Sequence, residues 1–162
     1  MDFFAHGLWS WIIFHKNKKA KLAVLFGLLP DLISFFPFFV YNMIFRELPF
    51  GRPEINQVPE WTFTMYGIGH SLILWALIIG AIYMIYKKVP IYMFAAPIAI
   101  LMDIPTHTKE FFPTPFLFPV SEWVFDGFSW GEPWFMITNY TVIIIIFAFI
   151  FFNNRKNSKR KS

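Results

Sequence analysis

Five ionisable residues lie inside apolar stretches of this sequence, where charge is otherwise rare. They are His6, Asp31, His70, Asp103 and His107. An Asp at the centre of a membrane helix costs at least about 2.5 to 3.5 kcal/mol, so each such residue is a candidate for a functional site. Imidazoles and carboxylates together form the ligand set that suits zinc and other divalent metals. We therefore predict that these five residues bind a divalent metal, with zinc expected and manganese as the alternative.

The composition indicates that these stretches face lipid. Hydrophobic residues make up 57% of the 162 residues, charged residues only 15%, and 23 residues are Phe. A soluble domain of this size buries about 70% of its unfolded surface, which is too little to hide so much apolar area. The net charge of +4 does not indicate a nucleic-acid partner, because the basic residues form short clusters between apolar runs. The absence of cysteine excludes disulfides, cysteine-based metal sites and thiol nucleophiles.

The apolar runs predict an all-α, multi-pass membrane bundle of about five helices. The clearest span is residues 133–152, which carry no charge and are long enough for a hydrocarbon core of roughly 30 Å. The other predicted helices cover residues 2–15, 22–45, 61–86 and 89–108. Pro30, Pro37 and Pro105 predict interruptions, because the residue before a proline avoids helical dihedrals. Residues 1–152 then form a single membrane-embedded domain, and residues 153–162 form a basic cytoplasmic tail.

The distribution of charge predicts the orientation. Eleven of the 14 Lys and Arg residues lie in residues 16–21, 87–88 and 155–161, and none of the ten acids lies among them. Cytoplasmic loops carry an excess of Lys and Arg, so we expect the N-terminus outside and the C-terminus in the cytoplasm. At about 1.5 Å per residue, the five ionisable residues lie roughly 15 to 27 Å from the nearest basic cluster, in the outer half of the bilayer.

Each of the five residues also has a purely structural interpretation. His6 is near the membrane interface, and Asp31 follows Pro30 and so suits a helix N-cap. His70 can donate to a carbonyl of a neighbouring helix, with Gly67 and Gly69 permitting the close approach. Asp103 and His107 share one face of a regular helix, unless Pro105 breaks that helix between them.

The segment from Thr108 to Glu132 is too apolar for a solvated loop and too rich in proline for a spanning helix. One interpretation is an aromatic belt that anchors the protein at the level of the lipid headgroups. The other is a lid that folds over the bundle, excludes water and receives an acyl chain. In that case Glu122 or Asp126 reaches the pocket.

Several motifs make the chain resemble a bacterial inner-membrane family described as membrane-bound metal-dependent hydrolases, which are similar to zinc-dependent phospholipase C. The matching pieces are His6-Gly7, the segment GLLPD that ends at Asp31, the step His70-Ser71, and LMDIPTHTKEFFPTPFLFP followed by FDGFSWGEPWF. Together they extend from Met1 to about Phe135. The resemblance implies a helical membrane protein with a His/Asp metal centre and hydrolytic activity.

The chain departs from the family pattern at three places. Ile33 stands where a second acid is usual, the His-Arg pair expected before the His-Ser step is missing, and Ala99 replaces a His four residues before Asp103. Either His107 supplies a replacement ligand or the metal site has fewer ligands.

The leading hypothesis is therefore hydrolysis of a lipid or lipid-linked ester, or phosphoester, with membrane lipids as partners. Asp31 and Asp103 orient the attacking water, and Asp2, Ser71, Glu122 and Asp126 support the ligands or the substrate. Three alternatives use the same residues: a small ion or proton transporter, haem ligation by two histidines, and a scaffold without chemistry.

Overall fold

The computed structural model describes residues 1–45 and 54–159, and this part of the chain is helical. Six α-helices follow one another: α1 (Phe3–Phe14), α2 (Ala20–Phe45), α3 (Glu60–Gly69), α4 (Leu72–Tyr86), α5 (Ala95–Thr106) and α6 (Pro133–Lys159). Two short 3-10 helices lie at Ile55–Gln57 and Ile91–Phe94. Within the described residues there is no β-strand, only an isolated bridge between Thr108 and Phe111. The all-α class predicted from the sequence is confirmed.

Two helices, α2 and α6, are long and apolar enough to cross a membrane, which indicates a membrane protein. A third crossing results if α3 and α4, which meet at an angle of 49°, count as one broken span. In contrast, α1 has 12 residues, or about 18 Å, and α5 together with the 3-10 turn before it covers Ile91–Thr106, or about 24 Å. Both are shorter than the roughly 20 residues that a spanning helix needs. The described residues thus contain two or three candidate spans, where the sequence predicted about five helices crossing.

Two of the three interruptions predicted from the prolines are absent, because α2 continues through Pro30 and Pro37. The third is present: α5 ends at Thr106, directly after Pro105, and His107 has an extended backbone. The broken pair is α3 and α4, which are separated by His70 and Ser71. The Ser71 hydroxyl accepts from the amide of Leu74 and so caps the N-terminus of α4. This break places His70 at a helix end, where its side chain can turn inward.

Helix α2 packs against α1, α3 and α5. Two glycines permit the closest approaches. A Cβ on Gly27 would lie 1.9 Å from Ser10 Oγ of α1, and a Cβ on Gly69 would lie 2.6 Å from the carbonyl oxygen of Pro30. The second approach brings the end of α3 against α2 beside Asp31. The predicted role of Gly69 in a close helix contact is therefore observed.

Helices α1 and α6 run in the same direction. Tyr140 donates to Asp2 near the start of α1, whereas Trp11 stacks on Phe147 near its end, with ring centroids 4.6 Å apart. The basic segments after α1 and at the end of α6 therefore lie at the same end of the bundle. The ammonium of Lys19 lies 5.7 Å from the ring of Tyr92, which places the turn after Lys87 and Lys88 at that end as well.

The segment after α5 folds back on the bundle. The carbonyl of Phe116 accepts from the amide of Leu72, and the carbonyl of Phe118 accepts from the Ser71 hydroxyl. The carbonyl of Phe112 accepts from the phenol of Tyr66, 3.1 Å away. These bonds hold the segment across the break between α3 and α4, on the side of the bundle opposite to the basic segments.

Candidate functional site

Four of the predicted residues meet in one buried cluster, and each comes from a different part of the fold. His6 lies on α1, Asp31 on α2, His70 in the break between α3 and α4, and Asp103 on α5. His6, His70 and Asp103 are at most 1% exposed, and Asp31 is 8% exposed. The local reasons differ: α1 and α5 contribute side chains from their packed faces, whereas the helix break directs His70 inward.

The imidazole of His70 lies between the two carboxylates. Its Nε2 is 3.4 Å from Asp31 Oδ1 and 3.5 Å from Asp103 Oδ2. Its Nδ1 is 3.2 Å from the carbonyl oxygen of Tyr66, and a proton on Nδ1 would be donated there. In the neutral ring Nε2 then carries a lone pair that faces two acceptors, which is unfavourable unless a cation binds there. A proton or a metal ion would satisfy this arrangement.

Asp103 contacts the amino group of Met1 and the imidazoles of His6, His70 and His107. Its Oδ1 is 2.9 Å from Nε2 of His6 and also accepts from the amino group of Met1. Its Oδ2 is buried and has no hydrogen-bond partner among the described residues. The same holds for Nε2 of His70 and Nδ1 of His6 within that part of the chain. Buried polar atoms without partners are rare in folded proteins, and three of the eight in the described part of the chain belong to this cluster.

His107 lies at the edge of the cluster. Its Nδ1 is 3.7 Å from Asp103 Oδ1 and 3.2 Å from the carbonyl oxygen of the same residue. The hydroxyl of Thr114 lies 3.2 Å from the same nitrogen. Although α5 ends at Thr106 and His107 has an extended backbone, its side chain still lies beside Asp103, four residues earlier. All five residues predicted as ligands thus come together, although His107 contacts only Asp103 among the other four in the described contacts.

The donor types suit a divalent metal, but the side chains do not yet surround one. Two ligands of a tetrahedral zinc ion lie about 3.4 Å apart, which follows from metal–ligand distances of about 2.0 to 2.2 Å. The separations of His70 Nε2 from Asp31 and Asp103 match this value. Even so, no group of three or more His, Cys, Asp or Glu residues in the described ranges is placed so that it could hold a metal ion. Binding therefore requires a rearrangement of side chains.

The four residues predicted to support the site lie elsewhere or act differently. Asp2 caps α1, because its Oδ1 accepts from the amide of Ala5 and from the Tyr140 phenol. Ser71 caps α4 and donates to the Phe118 carbonyl. Glu122 and Asp126 are exposed, and Asp126 accepts from the amide of Lys109. The structure thus brings none of the four into the cluster, but Ser71 fastens the covering segment directly beside His70.

Two further residues contact the cluster and were not predicted. The ring of Tyr66 lies over that of His70, with centroids 3.9 Å apart, and Thr114 contacts His107 as described above. Tyr66 precedes His70 by four residues in a helical stretch, and this spacing was a usable signal. Thr114 belongs to an irregular segment, where spacing carries no such information.

No protein-family model matches the chain, and no curated protein or solved structure matches it significantly.

Proposed function

We propose that this protein is an integral-membrane, metal-dependent hydrolase whose His/Asp cluster binds a divalent metal, with zinc expected and manganese as the alternative. One observation carries the proposal. Four separate segments place each of two imidazoles within 4.0 Å of both of two carboxylates in a buried site. Burial of two carboxylates is costly unless cations compensate them, and the described residues supply one ammonium group here, that of Met1 on Asp103. The resemblance to membrane-bound metal-dependent hydrolases, drawn from the motifs that contain these residues, supplies the reaction class.

His70 and the two carboxylates would hold the metal, with His6 and His107 completing the set after a change of side-chain position. Asp103 offers Oδ2, which has no partner in the described part of the chain. When bound, a divalent ion lowers the pKa of a coordinated water toward 7 and stabilises charge on the attacked oxygen. Asp31 is the more exposed of the two acids, so it is the carboxylate better placed to accept a proton from the attacking water.

We propose a multi-pass topology in the bacterial cytoplasmic membrane, with the basic segments and the C-terminus in the cytoplasm. The start of α1 then points toward the outer side. Support comes from the shared end of the bundle at which Lys19, Lys87 and the end of α6 lie. The cluster then lies in the outer half of the membrane.

The proposed substrate is a lipid or lipid-linked ester, or phosphoester. The segment from Thr108 to Glu132 lies over the cluster, and its exposed side chains include Val120, Trp123 and Phe125. Apolar side chains at this position exclude bulk water and suit a substrate that approaches from the lipid phase. Aromatic side chains also anchor a segment at the level of the headgroups, so the belt and the lid are compatible roles.

Metal content tests the proposal most directly. After growth with zinc or manganese, elemental analysis of purified protein is expected to give about one metal ion per chain. His70→Ala is expected to lose most of it, because His70 contacts both acids. His15→Ala is the matched control, since His15 Nδ1 contacts the carbonyl of Ile12 rather than the cluster. Less than a small fraction of one metal per chain in the unmodified protein would refute metal-dependent hydrolysis.

A second candidate function is coupling of proton or ion movement across the membrane. The position of His70 between Asp31 and Asp103 favours it, because a protonated imidazole there would bridge the acids and pass a proton between them. Proteoliposomes containing the protein would then show proton or cation flux. Flux that persists after combining Asp31→Asn with Asp103→Asn would exclude this mechanism. Flux without bound metal would favour it over hydrolysis.

A further inference from the structure

An open apolar groove runs along one side of α4, away from the His/Asp cluster. Its volume is about 470 Å³. One wall is a stripe on α4, and the other is the stretch that leads into α5. The lining residues are Leu72, Ala76, Ile79, Gly80, Tyr83, Val89, Phe94 and Pro97. A Cβ added to Gly80 would meet no other atom within 4 Å, so the groove is open at its middle.

The length of the groove matches one leaflet of a bilayer. From Leu72 to Tyr83 the helix rises about 16 Å, and half of a hydrocarbon core is about 15 Å. Leu72 lies two residues from His70, where its amide donates to the covering segment, and Tyr83 lies near the basic end. A tyrosine at that level is typical of a membrane interface.

Three lysines lie close in the chain or in space to the residues that line the groove near Tyr83. Lys87 and Lys88 immediately follow α4, are exposed and precede Val89 in the lining. The ammonium of Lys19 lies over Tyr92, between Val89 and Phe94 in the chain. None of the ten acids occurs within the basic segments to which these lysines belong. An apolar channel with a positive mouth is complementary to a lipid that has an apolar chain and a negative headgroup.

We propose that this groove binds one anionic phospholipid from the leaflet on the lysine side. One acyl chain lies along the α4 stripe, and the headgroup phosphate contacts Lys87 and Lys88. This lipid site is separate from the proposed hydrolytic cluster and does not depend on it. The occupant is held by the length match within the membrane and by charge at the mouth.

Two alanines on α4 form a matched pair for testing the channel. Both Ala76 and Ala81 are exposed, but only Ala76 lines the groove. Native mass spectrometry of the detergent-purified chain, titrated with dioleoylphosphatidylglycerol, is expected to show one tightly retained lipid. Ala76→Leu should weaken retention roughly fivefold, corresponding to the loss of about ten carbon–carbon contacts. Ala81→Leu should leave it unchanged.

The positive mouth is tested with paired charge removals. Lys87→Gln combined with Lys88→Gln should weaken binding of phosphatidylglycerol about thirtyfold and that of phosphatidylcholine, whose choline offsets the phosphate charge, much less. Arg155→Gln combined with Lys156→Gln removes the same charge at the end of α6 and should change neither. Equal losses from both double variants would overturn the role of the mouth, because only overall charge would then matter.

Two further outcomes would overturn the proposal. Equal lipid retention by Ala76→Leu and Ala81→Leu would mean that the groove holds no acyl chain. A dimer that Ala76→Leu dissociates would mean that a second copy of the chain fills the groove. If thermal melting shows that Ala76→Leu is not folded, Gly80→Leu is tested instead, because a side chain at Gly80 enters open space.

Discussion

The two long apolar helices, α2 and α6, are alike in length and composition but differ in what surrounds them. In α2, 33% of the most apolar window is buried, against 11% in α6. Helix α2 carries Asp31 on a face packed by three other helices, whereas the most apolar window of α6 contains no acid or histidine. A membrane helix can therefore hold a charged side chain where other helices cover it, whereas a helix that faces lipid must stay apolar. We interpret α2 as the centre of the site and α6 as a lipid-facing support.

The strongest test of this difference between α2 and α6 measures the proposed hydrolytic activity of variants on each helix. Asp31→Asn should lower hydrolysis of a lipid phosphodiester in mixed micelles by about 1,000-fold, because it removes the carboxylate that accepts the proton. Asn139→Ala on α6 should leave the rate within about twofold. The measurement is the initial rate with protein that has been checked for equal folding. A similar fall in the rate for both variants would show that α2 is no more important to the site than α6.

Membrane insertion should be impaired by a substitution on α6 and not by one on α2. Ile144 is 66% exposed on α6, so Ile144→Asp places a charge against lipid at a cost of about 2.5 to 3.5 kcal/mol. Asp31→Asn removes a charge and should not impair insertion. The amount of protein in the membrane fraction measures both effects, with Ile144→Leu as the control. Normal insertion of Ile144→Asp would show that α6 is covered by protein.

Packing density provides a smaller contrast. Gly27→Val should destabilise the fold by about 2 kcal/mol, because its Cβ would collide with the side chain of Ser10. Ala148→Val, at an exposed position on α6, should stay within about 0.5 kcal/mol. Unfolding in mixed micelles with a graded denaturing detergent measures both. Equal stability of the two variants would argue that α1 and α2 do not pack as closely as described.

The smallest expected effect concerns the attachment of α6 to α1. Trp9 Nε1 donates to Asn139 Oδ1 over 2.9 Å. Hydrogen bonds between membrane helices contribute about 0.6 kcal/mol, so Asn139→Ala should cost about that much. Thr138→Ala, at an exposed neighbouring position, is the control for the same unfolding measurement. A loss of several kcal/mol in the free energy of unfolding would mean that α6 is part of the packed core and not only a lipid-facing support.

Much of the helical framework followed from the sequence, but the number of crossings did not. The uncharged run from Pro133 identified α6, because transfer of each side chain into lipid depends on that side chain alone. The same reasoning extended residues 2–15 and 89–108 to predicted spans, although α1 reaches only about 18 Å and the helix Ile91–Thr106 only about 24 Å. Short helices can remain inside a bundle when neighbours cover their ends, and composition does not report those neighbours.

Some residues of the candidate site could likewise be predicted from the sequence, and others could not. The five ionisable residues were identifiable because charge at membrane depth is costly wherever it occurs. Pro30 and Pro37 did not break α2, since packed neighbours can compensate for the backbone group that a proline leaves free, whereas α5 does end directly after Pro105. Tyr66 is recoverable from its helical spacing to His70, whereas Asp2 and Ser71 turned out to be helix caps.

The apolar character of the chain, the clustering of its basic residues and the identity of the few polar side chains at depth are evident from the sequence. Each of these properties depends on the transfer free energy of single residues between water and lipid. The folded structure was needed to show that His70 lies between Asp31 and Asp103, that α1 and α5 are shorter than the candidate spans, and that an open groove runs along α4. Those features depend on which distant segments approach closely, and that is set by packing at positions such as Gly27 and Gly69.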